Sequence, residues 1–165
     1  TLGANTALSA TTATFNGTVA GGTNNLGVTG NAVFGNATTD TVTGLGTLAV
    51  SGTTTINTDT VTSAGTQTYT GAVTLGADTT LSTTDSAVLF SSTVNSTGGA
   101  RDLTVNAGTA GITFTGAVGG SSAPSGADRR GSGTSASAAD TSSEPKLTAM
   151  STTGGQRSQR GGGRC

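Results

Sequence analysis

Apolar residues fall on alternate positions over most of the first 120 residues. Leu48-Ala49-Val50, Val88-Leu89-Phe90, Leu103-Thr104-Val105 and Ile112-Thr113-Phe114-Thr115 each place a large aliphatic or aromatic side chain at every second residue. Side chains two apart share one face of an extended strand, so this spacing predicts short half-buried β-strands. Threonine fills the intervening positions, where its branched Cβ favours extended backbone. Clusters such as Gly21-Gly22-Thr23-Asn24-Asn25 and Gly98-Gly99 separate the strands and supply turns, because Gly and Asn tolerate positive φ. No stretch carries the 3.6-residue periodicity of a helix.

The strands recur. A unit made of a large apolar residue, a polar or small one, a Gly or other small residue, any residue and then usually Val runs through the body. It reads Phe15-Asn16-Gly17-Thr18-Val19, Phe34-Gly35-Asn36-Ala37, Val50-Ser51-Gly52-Thr53-Thr54, Tyr69-Thr70-Gly71-Ala72-Val73, Phe90-Ser91-Ser92-Thr93-Val94 and Phe114-Thr115-Gly116-Ala117-Val118. Its centres at 17, 35, 52, 71, 92 and 116 are spaced by 18, 17, 19, 21 and 24 residues, a period near 20. Two further echoes support a repeat. Thr1 to Ser9 matches Thr74 to Ser82 at seven of nine positions with an offset of 73, close to four periods, and Leu26 to Gly30 returns as Leu48 to Gly52 and, loosely, as Leu103 to Ala107.

A single unit of this size holds too few apolar side chains to offset the entropy of fixing its backbone, so the units must stack. The predicted fold is an all-β parallel β-helix (β-solenoid) of about five or six coils, each rising ~4.8 Å on the last. Like side chains then form ladders through a common interior, with Phe15, Tyr69, Phe90 and Phe114 in one vertical column. A disordered Thr/Gly/Ala-rich chain is the competing reading, and the period and the alternation weigh against it. A β-sandwich gives the spacing no cause.

Composition divides the chain at residue 120. Residues 1–120 carry Arg101 against Asp40, Asp59, Asp78, Asp85 and Asp102, a net charge of −4. Residues 121–165 carry Arg129, Arg130, Lys146, Arg157, Arg160 and Arg164 against Asp128, Asp140 and Glu144, a net charge of +3. Both prolines, Pro124 and Pro145, and the single Met150 and Cys165 also lie in this second part. The organisation read from this is a β-strand repeat region over 1–120 and a disordered Ser/Gly/Arg-rich tail over 121–165, either a linker or the product of a reading-frame change. The chain begins at Thr1 inside a repeat and shows no signal segment and no apolar run of membrane-spanning length. It is read as a fragment whose targeting signal lies elsewhere.

The candidate chemistry is sparse. Histidine is absent and the one cysteine is terminal, which removes the commonest general base, the commonest metal ligands and any internal disulfide. Gly44-Leu45-Gly46-Thr47-Leu48-Ala49 matches a dinucleotide fingerprint, but that motif needs a helix after it, and among 28 glycines a chance match is expected. Arg157 and Arg160-Gly161-Gly162-Gly163-Arg164 resemble RNA-contacting Arg/Gly segments without the aromatics that stack on bases. Asp78 and Asp85, or Arg101-Asp102, are candidates for the acid and base groups of a polysaccharide-cleaving β-helix. Aspartates in turns are explained by backbone hydrogen bonds, and glycoside cleavage needs two carboxylates at a set separation. The sequons at Asn16, Asn36 and Asn95 follow from abundant Thr. No catalytic, cofactor-binding or metal-binding residue is assigned, and the chain is expected to be no enzyme, to hold no cofactor, to bind no nucleic acid and to carry no transmembrane segment.

Leu103 to Gly120, together with the Thr-Leu-Gly-Ala unit, resembles the β-strand repeats of large bacterial surface proteins of the filamentous-haemagglutinin-like and autotransporter type. The resemblance covers residues 1–120. It implies a secreted or cell-surface, outer-membrane-associated rod, an adhesin that mediates attachment or biofilm formation. Its partners would be host-cell or surface glycans and proteins, or other copies through the solenoid ends. The Asn-Pro-Asn-Leu signature of that family's secretion domain is absent from the sequence. Two alternatives stand beside this reading: a carbohydrate-active β-helix fragment, and a low-complexity fragment with no independent function.

Overall fold

The computed structural model describes residues 1–119, 129–130 and 148–151. No helix occurs among them, and every strand pairing is parallel. The chain winds as a β-solenoid of about five turns whose strands form three stacks. The first stack holds the leading parts of β1 (Thr6–Phe15) and β3 (Leu26–Phe34), then β5 (Leu48–Val50), β8 (Gln67–Tyr69), β11 (Val88–Phe90) and β14 (Ile112–Phe114). The second holds the trailing parts of β1 and β3, then β6 (Thr54–Ile56), β9 (Val73–Leu75) and β12 (Val94–Ser96). The third holds β2 (Val19–Ala20), β4 (Thr41–Leu45), β7 (Thr60–Ser63), β10 (Thr79–Thr83) and β13 (Leu103–Gly108).

Two residue-period burial builds each stack. Most of these short strands read buried, half-buried, buried, so a three-residue strand sends its first and last side chains inward. Stacking the windings in register turns those positions into ladders. Val28, Val50, Tyr69, Phe90 and Phe114 form one column of the first face, and Leu26, Leu48, Gln67, Val88 and Ile112 form the next. On the third face Val42, Val61, Leu81 and Val105 align. Nearly all of these side chains are fully buried, and they make a single core along the axis. The rings of Tyr69, Phe90 and Phe114 lie almost parallel with centroids 5.2 and 4.6 Å apart, an aromatic stack dictated by the strand spacing.

The solenoid expected from the sequence is present, and its internal register differs from the expected one in two ways. Phe15 does not join Tyr69, Phe90 and Phe114. It stacks on Phe34 at 5.2 Å, and the column continues through Ile56, Leu75 and Ser96 on the second face. The recurring unit therefore marks two different corners. Around residues 17 and 35 the chain leaves the second face, whereas around 52, 71, 92 and 116 it leaves the first. True steps along the first face, through Thr6, Leu26, Leu48, Gln67, Val88 and Ile112, are 20, 22, 19, 21 and 24 residues. The offset of 73 likewise is no whole number of windings, since Leu8 lies on the first face and its match Leu81 on the third. Leu26 to Gly30 and Leu48 to Gly52 do align directly, while Leu103 belongs to the third face.

Two glycines show why corners demand small residues. Gly30 sits where β3 bends from the first face to the second, opposite a shift in the β1 pairing between Ser9 and Thr12. Its φ is +118°, and a Cβ there would collide with the carbonyl oxygen of Ala10. Gly71 stacks on the corner one winding below, and a Cβ would meet the backbone of Gly52.

Most of the segment read as a tail lies outside the described residues. Two pieces of it are strands where the sequence suggested none: β16 (Thr148–Ser151) pairs with β13 and in turn with β15 (Arg129–Arg130). Without β16 the last winding's β13 would end the sheet with unpaired N–H and C=O groups, and such an edge can template extended backbone of almost any sequence.

Two substitutions test the ladder core. Phe90→Ala, between Tyr69 and Phe114, should lower stability by about 3–5 kcal/mol in a urea titration. Thr54 stands between Ala32 and Val73 with its hydroxyl buried and without a hydrogen-bond partner among the described residues. Thr54→Val keeps the shape and removes the unpaired oxygen, so it should stabilise the chain by about 1 kcal/mol or more.

Candidate functional site

Outward positions of the strands present what the solenoid can offer to another molecule. At the exit of the first face Ser9, Thr29, Ser51, Thr70, Ser91 and Thr115 follow one another, one per winding, and all six are exposed. The backbone bonds Ser51 N–H to Val28 O, Thr70 N–H to Val50 O, Ser91 N–H to Tyr69 O and Thr115 N–H to Phe90 O hold this column in line at 2.8–3.0 Å. On the third face Thr41, Thr60, Thr80 and Thr104 form a half-buried column, and Thr62, Ser82 and Asn106 form a second column two residues further along the strands. The outward column of the second face is mixed: Thr14, Val33, Thr55, Thr74 and Asn95. At the start of the first face Ala7, Gly27 and Ala49 leave an open depression of about 260 Å³, bordered by Asn5, Asn25 and Thr47.

The carboxylates weighed as acids and bases sit in turns, where they accept hydrogen bonds from the backbone. Asp78 Oδ1 accepts from the amide of Asp102 at 3.0 Å, which joins two successive windings at the corner before the third face. Asp85 Oδ1 accepts from the amide of Thr109 at 2.8 Å and from its hydroxyl at 3.1 Å, at the corner after that face. The two candidates thus lie at opposite ends of β10, and the fold brings Asp78 to Asp102 but not to Asp85. Asp40 Oδ2 accepts from the amides of Asn36 and Ala37 at 3.0 and 3.1 Å. Among the described residues no three of His, Cys, Asp and Glu converge as metal ligands.

Gly44 to Ala49 spans the end of β4, a turn and the start of β5, so the strand-to-helix setting that gives the fingerprint its phosphate-binding amides is missing. Arg157, Arg160 and Arg164 lie outside the described residues.

One of the buried side chains is a polar amide. Gln67 lies two residues before Tyr69, on the same inward face of β8, where it occupies the Leu48–Val88 column and is fully buried. Its Nε2 donates to the carbonyls of Ser82 at 3.0 Å and Val61 at 3.4 Å, and its Oε1 accepts from the hydroxyl of Tyr69 at 3.0 Å. Burial pushes the Tyr69 phenol well above its ordinary range, so this hydroxyl stays a donor. Buried hydroxyls at the corners bond backbone carbonyls: Thr79 donates to Thr58 O of the preceding winding at 2.9 Å, and Ser63 donates to Gly65 O two residues on at 2.7 Å.

Fold and surface together define a three-faced parallel β-solenoid with a hydrocarbon and aromatic interior and a hydroxyl-rich exterior. Comparison with protein-family models, curated proteins and solved structures finds no match.

Tyr69→Phe should cost about 1–3 kcal/mol, because it leaves Gln67 Oε1 buried and unpaired. Adding Gln67→Leu, which suits a column of Leu48 and Val88, should recover part of that loss. Thermal melts of the two variants check this, and a Tyr69→Phe chain as stable as the parent would contradict the pairing.

Proposed function

We propose that this chain is a non-catalytic, structural and adhesive section of a bacterial cell-surface or secreted repeat protein. The observation that carries the reading is the division of labour between core and surface. The interior is a largely apolar ladder that stiffens the windings into a rod, and several exterior columns, those of the third face and of the exit from the first, are uncharged Ser, Thr and Asn side chains repeated once per winding. Such an exterior offers many weak, identical contacts along an axis, and their combined strength grows with the number engaged at once. Asp40, Asp78 and Asp85 bind backbone groups, which supports a role in holding turns.

Location at the cell surface follows from the resemblance of residues 1–120 to filamentous-haemagglutinin-like repeats, and the partners would be surface glycans, proteins or further copies of the rod. No helix among the described residues is long and apolar enough to cross a membrane.

Cells that display the whole chain from an unrelated surface anchor should be retained on glass and on glycan-coated supports in greater number than cells displaying the anchor alone. Equal retention would remove the adhesive reading. Purified chain should release no reducing ends from pectins or other glycans, and release would favour the carbohydrate-active alternative.

A further inference from the structure

The third face differs from the other two in the order of its outward side chains. Strand propensity alone places Thr, Val and Ile outward without preference among faces. The outward positions of the second face do include Val33, and those of the first include Ala7, Gly27, Ala49 and Leu89. On the third face both outward columns carry hydroxyls in the central windings. Thr41, Thr60, Thr80 and Thr104 lie in unbroken register, and Thr62 and Ser82 lie beside them in the second column. Strands β7, β10 and β13 pair with no register shift among themselves, so this part of the surface is an ordered net.

Parallel strands fix the net's dimensions. Neighbouring hydroxyls are ~4.8 Å apart along the axis, set by the strand spacing, and ~6.6 Å apart along a strand, set by two residues of rise. The prism face of ice repeats its water oxygens on a rectangular net of similar dimensions. Each threonine brings two groups suited to such a lattice. Its hydroxyl can bond a lattice water, and its methyl group orients first-shell water around itself without competing for hydrogen bonds. The six side chains carry no charge, which matches an uncharged partner, whereas a Lys or Asp in the net would hold its own radial hydration shell. The aspartates at the preceding corner lie in the turns, where Asp40 and Asp78 accept backbone bonds. Flat polysaccharide is the weaker fit, because Tyr69, Phe90 and Phe114, the rings that could stack on sugars, are buried.

We infer that the outward Thr and Ser columns of the third face bind crystalline water, with Thr41, Thr60, Thr80 and Thr104 as the principal column and Thr62 and Ser82 as the second. The inference goes beyond the adhesive reading, since it concerns one face of the rod whatever the rod is attached to.

The test grows a single ice crystal in a solution of the whole chain just below its melting point. Faceted crystals and a freezing point depressed below the melting point are expected. Round discs that grow as they do in buffer would overturn the inference, as would retention of the chain on cellulose without faceting. Thr60→Lys and Thr80→Lys project into solvent, so circular dichroism should match the parent while faceting is lost. Thr55→Lys, outward on the second face, controls for added charge and should leave faceting intact. Faceting that survives in the Thr60→Lys and Thr80→Lys variants, or is lost equally in Thr55→Lys, overturns the assignment to this face. Cell retention on glass and the faceting of ice are read in separate assays, so failure here and failure of the adhesive reading are separately visible.

Discussion

Parallel backbone pairing between one winding and the next is the constraint on which the rest of this structure depends. It sets a single repeat distance for everything the chain carries. Inside, the repeat brings Tyr69, Phe90 and Phe114 face to face and threads Leu and Val columns into one core. Outside, the same repeat lines up hydroxyls that are some twenty residues apart in sequence. At the corners it brings backbone so close to backbone that Gly71 over Gly52 leaves no space for a side chain. No winding has a core of its own, so stability is shared between neighbours.

The class of fold was legible because alternation and period are both local properties, visible in strings such as Leu103-Thr104-Val105 without knowledge of their neighbours. The register was not, and the reason is physical. Each corner of the solenoid asks the same thing of the chain: a large apolar residue at the end of a strand, then small residues for the bend, then a β-branched residue to restart. Phe15-Asn16-Gly17-Thr18-Val19 and Tyr69-Thr70-Gly71-Ala72-Val73 meet that demand equally well at two different corners, so a match between them carries no information about which corner is which. The matched segments Thr1–Ser9 and Thr74–Ser82 mislead in the same way.

The surface was less legible for the same reason. Threonine abundance could be counted, but the columns exist only once the register is known. The Asp turn roles were anticipated, because an aspartate in a turn has an obvious local partner, although the bond from Asp102 to Asp78 spans a whole winding. Gln67 carried two opposed signals. Its place two residues before the inward Tyr69 puts it on the core side, while its polarity and flanking threonines point to solvent, and its position above Leu48 and below Val88 decides for burial.

That glutamine has a wider consequence. Rings that resemble each other so closely invite misthreading, in which a segment docks on a neighbour one turn too early or too late and still finds hydrocarbon to cover. Gln67 keeps its phenol partner in any such slip, since Tyr69 travels on the same strand, but its amide must also meet two carbonyls, here those of Val61 and Ser82. A polar group inside the lumen thus penalises every misthreaded arrangement that fails to present a matching pair.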